Sequence, residues 1–102
     1  MYFTINANML NACILAQLED GASYGYALTQ ALQDTVECSE STLYPALRRL
    51  EKEGLLMSYN KEFNGRNRKF YELTKDGRIQ LDMMRSEWTT YCKTVERLLK
   101  LK

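Results

Sequence analysis

A chain of 102 residues with 45% apolar content is the size of one domain and carries enough apolar side chains for one core. It has no histidine, which removes the commonest general base, the Ser-His and Cys-His nucleophile pairs and the usual mixed zinc sites, so neither an enzyme nor a cofactor is expected. Net charge is only +1, no run of about 18 apolar residues exists and the N-terminus lacks a signal-peptide layout, so a cytoplasmic protein with no membrane segment is expected.

The first helix is predicted from Asn8 to Glu19, because Leu10, Cys13, Ile14, Gln17 and Leu18 recur at helical spacing. Asp20-Gly21-Ala22-Ser23 reads as a turn. The second helix is predicted from Ser23, acting as N-cap, to Gln33, burying Tyr24, Ala27, Leu28, Ala31 and Leu32. Tyr26 falls near its outer side. Two readings of these tyrosines stand: Tyr24 in the core with Tyr26 at the rim, or one of the two phenols donating to a DNA phosphate. Residues 34–38 form a connection with room for one very short strand at Val36.

Ser39 to Gly54 is the most informative stretch. Leu43, Ala46, Leu47 and Leu50 line one side of a helix, and Thr42, Tyr44, Pro45, Arg48, Arg49 and Lys52 line the other. Serines and a threonine suit its start, Gly54 its end, and Pro45 is tolerable if it falls in the first turn. A small polar entry and a basic exit suit a helix in a DNA major groove, with guanidinium groups reaching guanine or phosphate. Taken alone, a solvated surface helix explains the same cations. Charge distribution decides between them: residues 1–40 hold five acids and no Lys or Arg, whereas residues 41–78 hold nine cations against five acids. Positive charge thus gathers on and just after this helix, as a footprint on a phosphate backbone requires.

After Gly54 the period becomes 2, with Leu55, Met57, Tyr59 and Phe63 alternating with Leu56, Ser58, Asn60 and Glu62. Asn64-Gly65 is a tight-turn signal and Lys69 to Leu73 returns, so Leu55 to Leu73 is predicted as a β-hairpin. Arg66, Asn67, Arg68 and Lys69 sit at its tip. Such charges can simply keep a loop soluble, but directly after a helix-turn-helix they suit the DNA backbone or the neighbouring minor groove. Thr74 is predicted to cap a last helix reaching about Leu101, despite Gly77 in its first turn. Leu81, Met84, Trp88, Tyr91, Val95 and Leu98 follow a heptad seam, widened by Cys92 and Leu99. At about 1.5 Å per residue this helix spans roughly 40 Å, more than so small a domain covers, and a homodimer paired through that seam is expected. The three cysteines, Cys13, Cys38 and Cys92, lack the C-x-x-C spacing of a zinc or redox site and read as buried or idle thiols.

The expected fold is mainly α (α+β): a winged helix-turn-helix with a two-stranded β-hairpin wing and a long C-terminal helix. Residues 1–73 would form the DNA-binding domain and residues 74–102 the dimerisation helix. Three patterns make this sequence resemble the PadR family of bacterial transcriptional regulators. They are Ser23-Tyr24-Gly25-Tyr26; Ser41-Thr42-Leu43-Tyr44-Pro45-Ala46-Leu47-Arg48-Arg49-Leu50-Glu51 with Gly54-Leu55; and Asn64-Gly65-Arg66 followed by Arg68-Lys69-Phe70-Tyr71-Glu72-Leu73-Thr74. The likeness covers about Leu10 to Gly77, and the single last helix resembles the family's compact subgroup. It implies a dimeric repressor in which Ser41, Thr42, Tyr44, Pro45, Arg48 and Arg49 face double-stranded DNA, assisted by Tyr24 or Tyr26 and by Arg66, Arg68 and Lys69 of the wing. Ala27 departs from the acid that relatives often carry there, which affects no DNA-facing position.

Some compact relatives bind flat aromatic drugs between subunits against a tryptophan of the long helix, and Trp88 is similarly placed. Stacking gives that role a physical basis, and plain dimer core explains the same residue. The expected function is therefore that of a DNA-binding transcriptional regulator, a homodimeric repressor on a pseudo-palindromic operator with an aromatic small molecule as its candidate effector. Two rivals are a winged-helix module that docks an acidic protein and a sensor of planar aromatic molecules.

Overall fold

The N-terminal helix starts where Asn6 accepts a hydrogen bond from the Met9 amide at 2.9 Å, satisfying one of the helix's free donors. In the computed structural model, which describes residues 2–33 and 38–101, it is α1 (Ala7–Gln17). There follow β1 (Ser23–Tyr24), α2 (Gly25–Gln33), α3 (Glu40–Lys52), β2 (Leu56–Phe63), β3 (Arg66–Leu73) and α4 (Lys75–Leu98). The expected strand at Val36 lies outside the described residues. Leu10, Ile14, Leu15 and Leu18 enter the core from the first helical stretch, while Gln17, expected on the same side, is exposed.

The second helix begins later than its pattern suggested. Ser23 is not its N-cap: with Tyr24 it pairs antiparallel to β3, opposite Tyr71 and Phe70. The reason is tertiary. β3 offers a free edge there, and the Tyr24 ring gains Phe63 and Phe70 at centroid distances of 5.6 and 5.3 Å. The wing hairpin therefore belongs to a three-stranded sheet of order β1-β3-β2. Leu28 and Leu32 of α2 are buried as expected, but Ala31 is exposed.

All four apolar residues of α3, Leu43, Ala46, Leu47 and Leu50, are completely buried. Each such leucine stabilises the fold by roughly 1.5–3 kcal/mol relative to exposure, so this helix is anchored on one side and its opposite side is left to solvent. Ser39 has the extended backbone of an N-cap, yet its hydroxyl bonds those of Ser41 and Thr42 rather than a backbone amide. Because the helix starts at Glu40, Pro45 falls in the second turn and not the first; it supplies no N–H for Ser41's carbonyl.

β2 and β3 pair from Leu56 opposite Leu73 to Phe63 opposite Arg66. The turn residues Asn64 and Gly65 have φ of 53° and 75°, the left-handed pair that matches hairpin twist. Residues opposite one another share a face. Leu56, Ser58, Tyr71, Leu73 and Lys69 look toward α3, whereas Met57, Tyr59, Lys61, Phe63, Arg66, Arg68 and Phe70 lie on the outer face. The larger apolar set thus points away from the core. There Tyr59 stacks on Phe70 at 5.9 Å and Lys61 sits 5.5 Å from the same ring, so Phe70 is buried among its neighbours on this face while Met57, Tyr59 and Phe63 stay exposed.

Thr74 fastens the last helix to the exit of α3: its hydroxyl accepts from the Gly77 amide at 3.0 Å and donates to the Gly54 carbonyl at 2.7 Å. Gly77 breaks the helical pattern for a reason the sequence does not reveal, since a Cβ there would collide with the Leu55 carbonyl oxygen. Leu81 is buried and Met84 packs on the core. Past that point α4 leaves the core. Trp88, Tyr91, Leu98 and Leu99 are 45%, 61%, 75% and 60% exposed, while Cys92 and Val95 are half-buried. Arg85 grips Glu19 with two hydrogen bonds of 2.7 and 3.0 Å, and Arg78 donates to the Glu19 carbonyl, fixing how α4 leaves the domain. Its ordered turns stop at Leu98 rather than Leu101. All three cysteines are free, with Cys38 buried and the other two half-buried. No helix among the described residues is long and apolar enough to cross a membrane.

Candidate nucleic-acid interface

The solvent side of α3 presents Ser41, Thr42, Arg48 and Arg49 fully, with Tyr44 and Pro45 half-buried between them. Tyr44 is held by α2: its ring lies so close to the Gly25 backbone that a Cβ there would come within 2.7 Å of Tyr44 Cζ. A side chain at position 25 would require the Tyr44 ring to shift. Burial, and to a lesser degree the Glu40 carboxylate and Tyr71, push the Tyr44 phenol above its ordinary pKa. It stays protonated at neutral pH and is a donor toward an anion.

Between this helix, β1 and the wing runs an open groove of about 390 Å³, lined by Tyr24, Gly25, Tyr44, Arg48, Arg68, Lys69 and Tyr71. It gathers five of the residues singled out from sequence. Arg68 lies over the Tyr24 ring at 4.6 Å, and its buried Nε finds no hydrogen-bond partner among the described residues. Lys69 comes from the other face of the wing, 3.7 Å from Glu51 and 5.5 Å from the centre of the Tyr71 ring. Three cations and the phenols of Tyr24, Tyr44 and Tyr71 converge here. Such a groove can hold phosphate oxygens through charge-assisted hydrogen bonds.

Other predicted residues lie apart. Ser41, Thr42, Pro45 and Arg49 lie on the solvent side of the helix but not in the groove, and Tyr26 projects outside it, 54% exposed. Arg66 stands at the hairpin tip on the face of Arg68. Gly25, Tyr71 and Glu51 were missed by sequence reasoning. Tyr71 could have been found from the alternation of β3; Glu51 carries no local signal, because its partners Ser58 and Lys69 lie on other elements. On α4, the Trp88 and Tyr91 rings lie 5.9 Å apart on an exposed face. Among the described residues no group of three or more His, Cys, Asp or Glu is placed to hold a metal ion.

A helix-turn-helix whose reading helix runs straight into a basic hairpin defines the winged helix class. Residues 14–83 match the family described as the transcriptional regulator PadR-like family, and the chain belongs to that family. A transcriptional regulator of Mycobacterium tuberculosis is 42% identical over 69 residues, 67% of this chain; the match spans only 64% of that relative's length. A crystal structure from Streptococcus mutans superposes with a TM-score of 0.91 at 38% identity, covering 98% of this chain and 94% of that one. A PadR family transcription regulator from Clostridium difficile gives a TM-score of 0.83 at 31% identity, covering 88% and 97%. The family is one of transcriptional regulators.

Proposed function

We propose that this chain is a homodimeric, DNA-binding repressor that occupies a pseudo-palindromic operator. The observation that carries the reading is the groove in which Arg48 of α3 meets Arg68 and Lys69 of the wing beside the phenols of Tyr24 and Tyr44. In it the N-terminal half of the reading helix, with Ser41, Thr42, Tyr44 and Pro45, enters the major groove. Arg48 and Arg49 reach guanine or phosphate, and Arg66, Arg68 and Lys69 lie along the flanking backbone, with Tyr24 or Tyr26 assisting. Dimerisation is supported by the seam of α4 that its own domain leaves uncovered, where Trp88, Tyr91, Leu98 and Leu99 are exposed. Pairing it with a second copy sets the distance between two reading helices. Half-sites then lie about 10 bp apart, or at a simple multiple.

Sedimentation at micromolar concentration, with and without duplex from the chain's own promoter, tests dimer and recognition together. A two-chain species that shifts with promoter duplex supports the proposal. A single chain with no preference over competitor DNA overturns it, and a stable complex with an acidic protein in place of DNA turns the reading to an interaction module.

The exposed Trp88–Tyr91 pair favours a second reading, in which a planar aromatic effector enters between the paired helices. Such an effector acts only by preferring one separation of the reading helices over another. Quenching of Trp88 fluorescence by planar aromatic molecules supports this; indifference to them removes it.

A further inference from the structure

Glu51 is an acid in the middle of a basic face. It stands in the last turn of α3, where its carboxylate accepts a hydrogen bond from Ser58 Oγ on β2 and pairs with Lys69 Nζ on β3 at 3.7 Å. One side chain thereby joins the reading helix to both strands of the wing. Lys69 lines the same groove as Arg48 and Tyr44, so this carboxylate competes with any phosphate that lies there. Both partners remain wet, with side chains 50% and 34% exposed, and the pair can exchange for another anion. A neutral amide oxygen also accepts from Ser58, less strongly than a carboxylate, so the part of Glu51 that only its charge supplies is the pairing with Lys69. The charge itself acts on DNA affinity. Sequence-independent binding comes almost wholly from cations on phosphate, whereas base readout does not.

We infer that Glu51 is a positioning residue that determines specificity through Lys69: its carboxylate holds the lysine's ammonium off the DNA backbone and so lowers affinity for arbitrary duplex more than for the operator. This rests on the DNA-binding reading above. Lys69 is then a partial phosphate contact, unlike Arg68, whose guanidinium lies over an aromatic ring and, among the described residues, forms no ion pair.

The test compares a duplex from the chain's own promoter with a shuffled duplex of equal length across a salt titration. Glu51→Gln keeps an acceptor for Ser58 and removes the charge. It should bind the shuffled duplex about two- to fivefold more tightly, steepen the dependence of log K on log salt by about one unit, and lower the promoter-to-shuffled ratio. In a Lys69→Ala background the same substitution should change neither quantity. Lys69→Ala alone should flatten the slope by clearly less than one unit, since its charge is already offset. Overturning results are an unchanged slope and ratio in Glu51→Gln, an equal gain in the Lys69→Ala background, or loss of a full unit on Lys69→Ala alone. Failure of the wild-type chain to retain any duplex strikes the DNA-binding reading itself; a wild-type preference for promoter that Glu51→Gln shares fully strikes only this inference.

Discussion

The ring of Tyr44 lies on the backbone of Gly25, packed so closely that a Cβ at the start of α2 would overlap the ring where it now stands. Gly25→Ala must therefore push the ring toward the groove. Overpacking of this kind costs about 1–3 kcal/mol, against roughly 0.4–1 kcal/mol gained by restricting the unfolded chain. A net loss of thermal stability is expected, together with weaker DNA retention because Tyr44 and Arg48 share the groove. An unchanged melting temperature means that the ring swings aside freely.

Arg48 is exposed, stands on the outer side of α3 and also lines the groove, so it can reach a base edge or a phosphate. Arg48→Ala should weaken promoter binding by about 1–3 kcal/mol if the guanidinium reads a base. Titrating a shuffled duplex separates the cases: equal loss on both assigns Arg48 to the backbone.

Arg68 combines a charge with a stacking contact on Tyr24. Replacing it with alanine should flatten the salt dependence of binding by about one unit. Arg68→Lys should keep the slope but lose part of the affinity, because an ammonium does not reproduce the guanidinium's planar stack. A slope that Arg68→Ala leaves unmoved takes this residue off the phosphate backbone.

Glu19 and Arg85 tie α1's exit to α4, and the hydrogen bonds from Arg85 hold the Glu19 carboxyl below its ordinary pKa, helped by the charges of Arg85 and Arg78 and opposed by partial burial. The sign follows from linkage. A carboxyl whose pKa is lowered on folding contributes stability above its unfolded value of about 4.3, and that contribution is lost as pH falls through the folded value. Glu19→Gln should lower the melting temperature at neutral pH, and the difference should shrink and vanish in acid. A difference that persists unchanged at low pH would falsify the assignment.

How much was legible before folding can be judged element by element. Leu43, Ala46, Leu47 and Leu50 marked the buried side of α3, because four residues at helical spacing report burial within one element. Asn64-Gly65 marked the turn for a similar reason: only a few residue types adopt its positive φ. β1 was hidden, since two residues carry no period, and so was the outward aim of Met57, Tyr59 and Phe63, since alternation fixes that two faces differ but not which one meets the core.

By itself, then, the sequence determined the order of helices and hairpin, the membership of the PadR-like family and the side of α3 that enters the core. Those properties are local, or repeated at a period that one element records. Only the tertiary structure decided that Tyr24 leaves α2 for the sheet, that Arg68 and Lys69 reach one groove from opposite faces of the wing, and that Glu51 meets Lys69. Each of those contacts joins side chains from different elements, and their geometry exists only once the sheet has twisted against the reading helix.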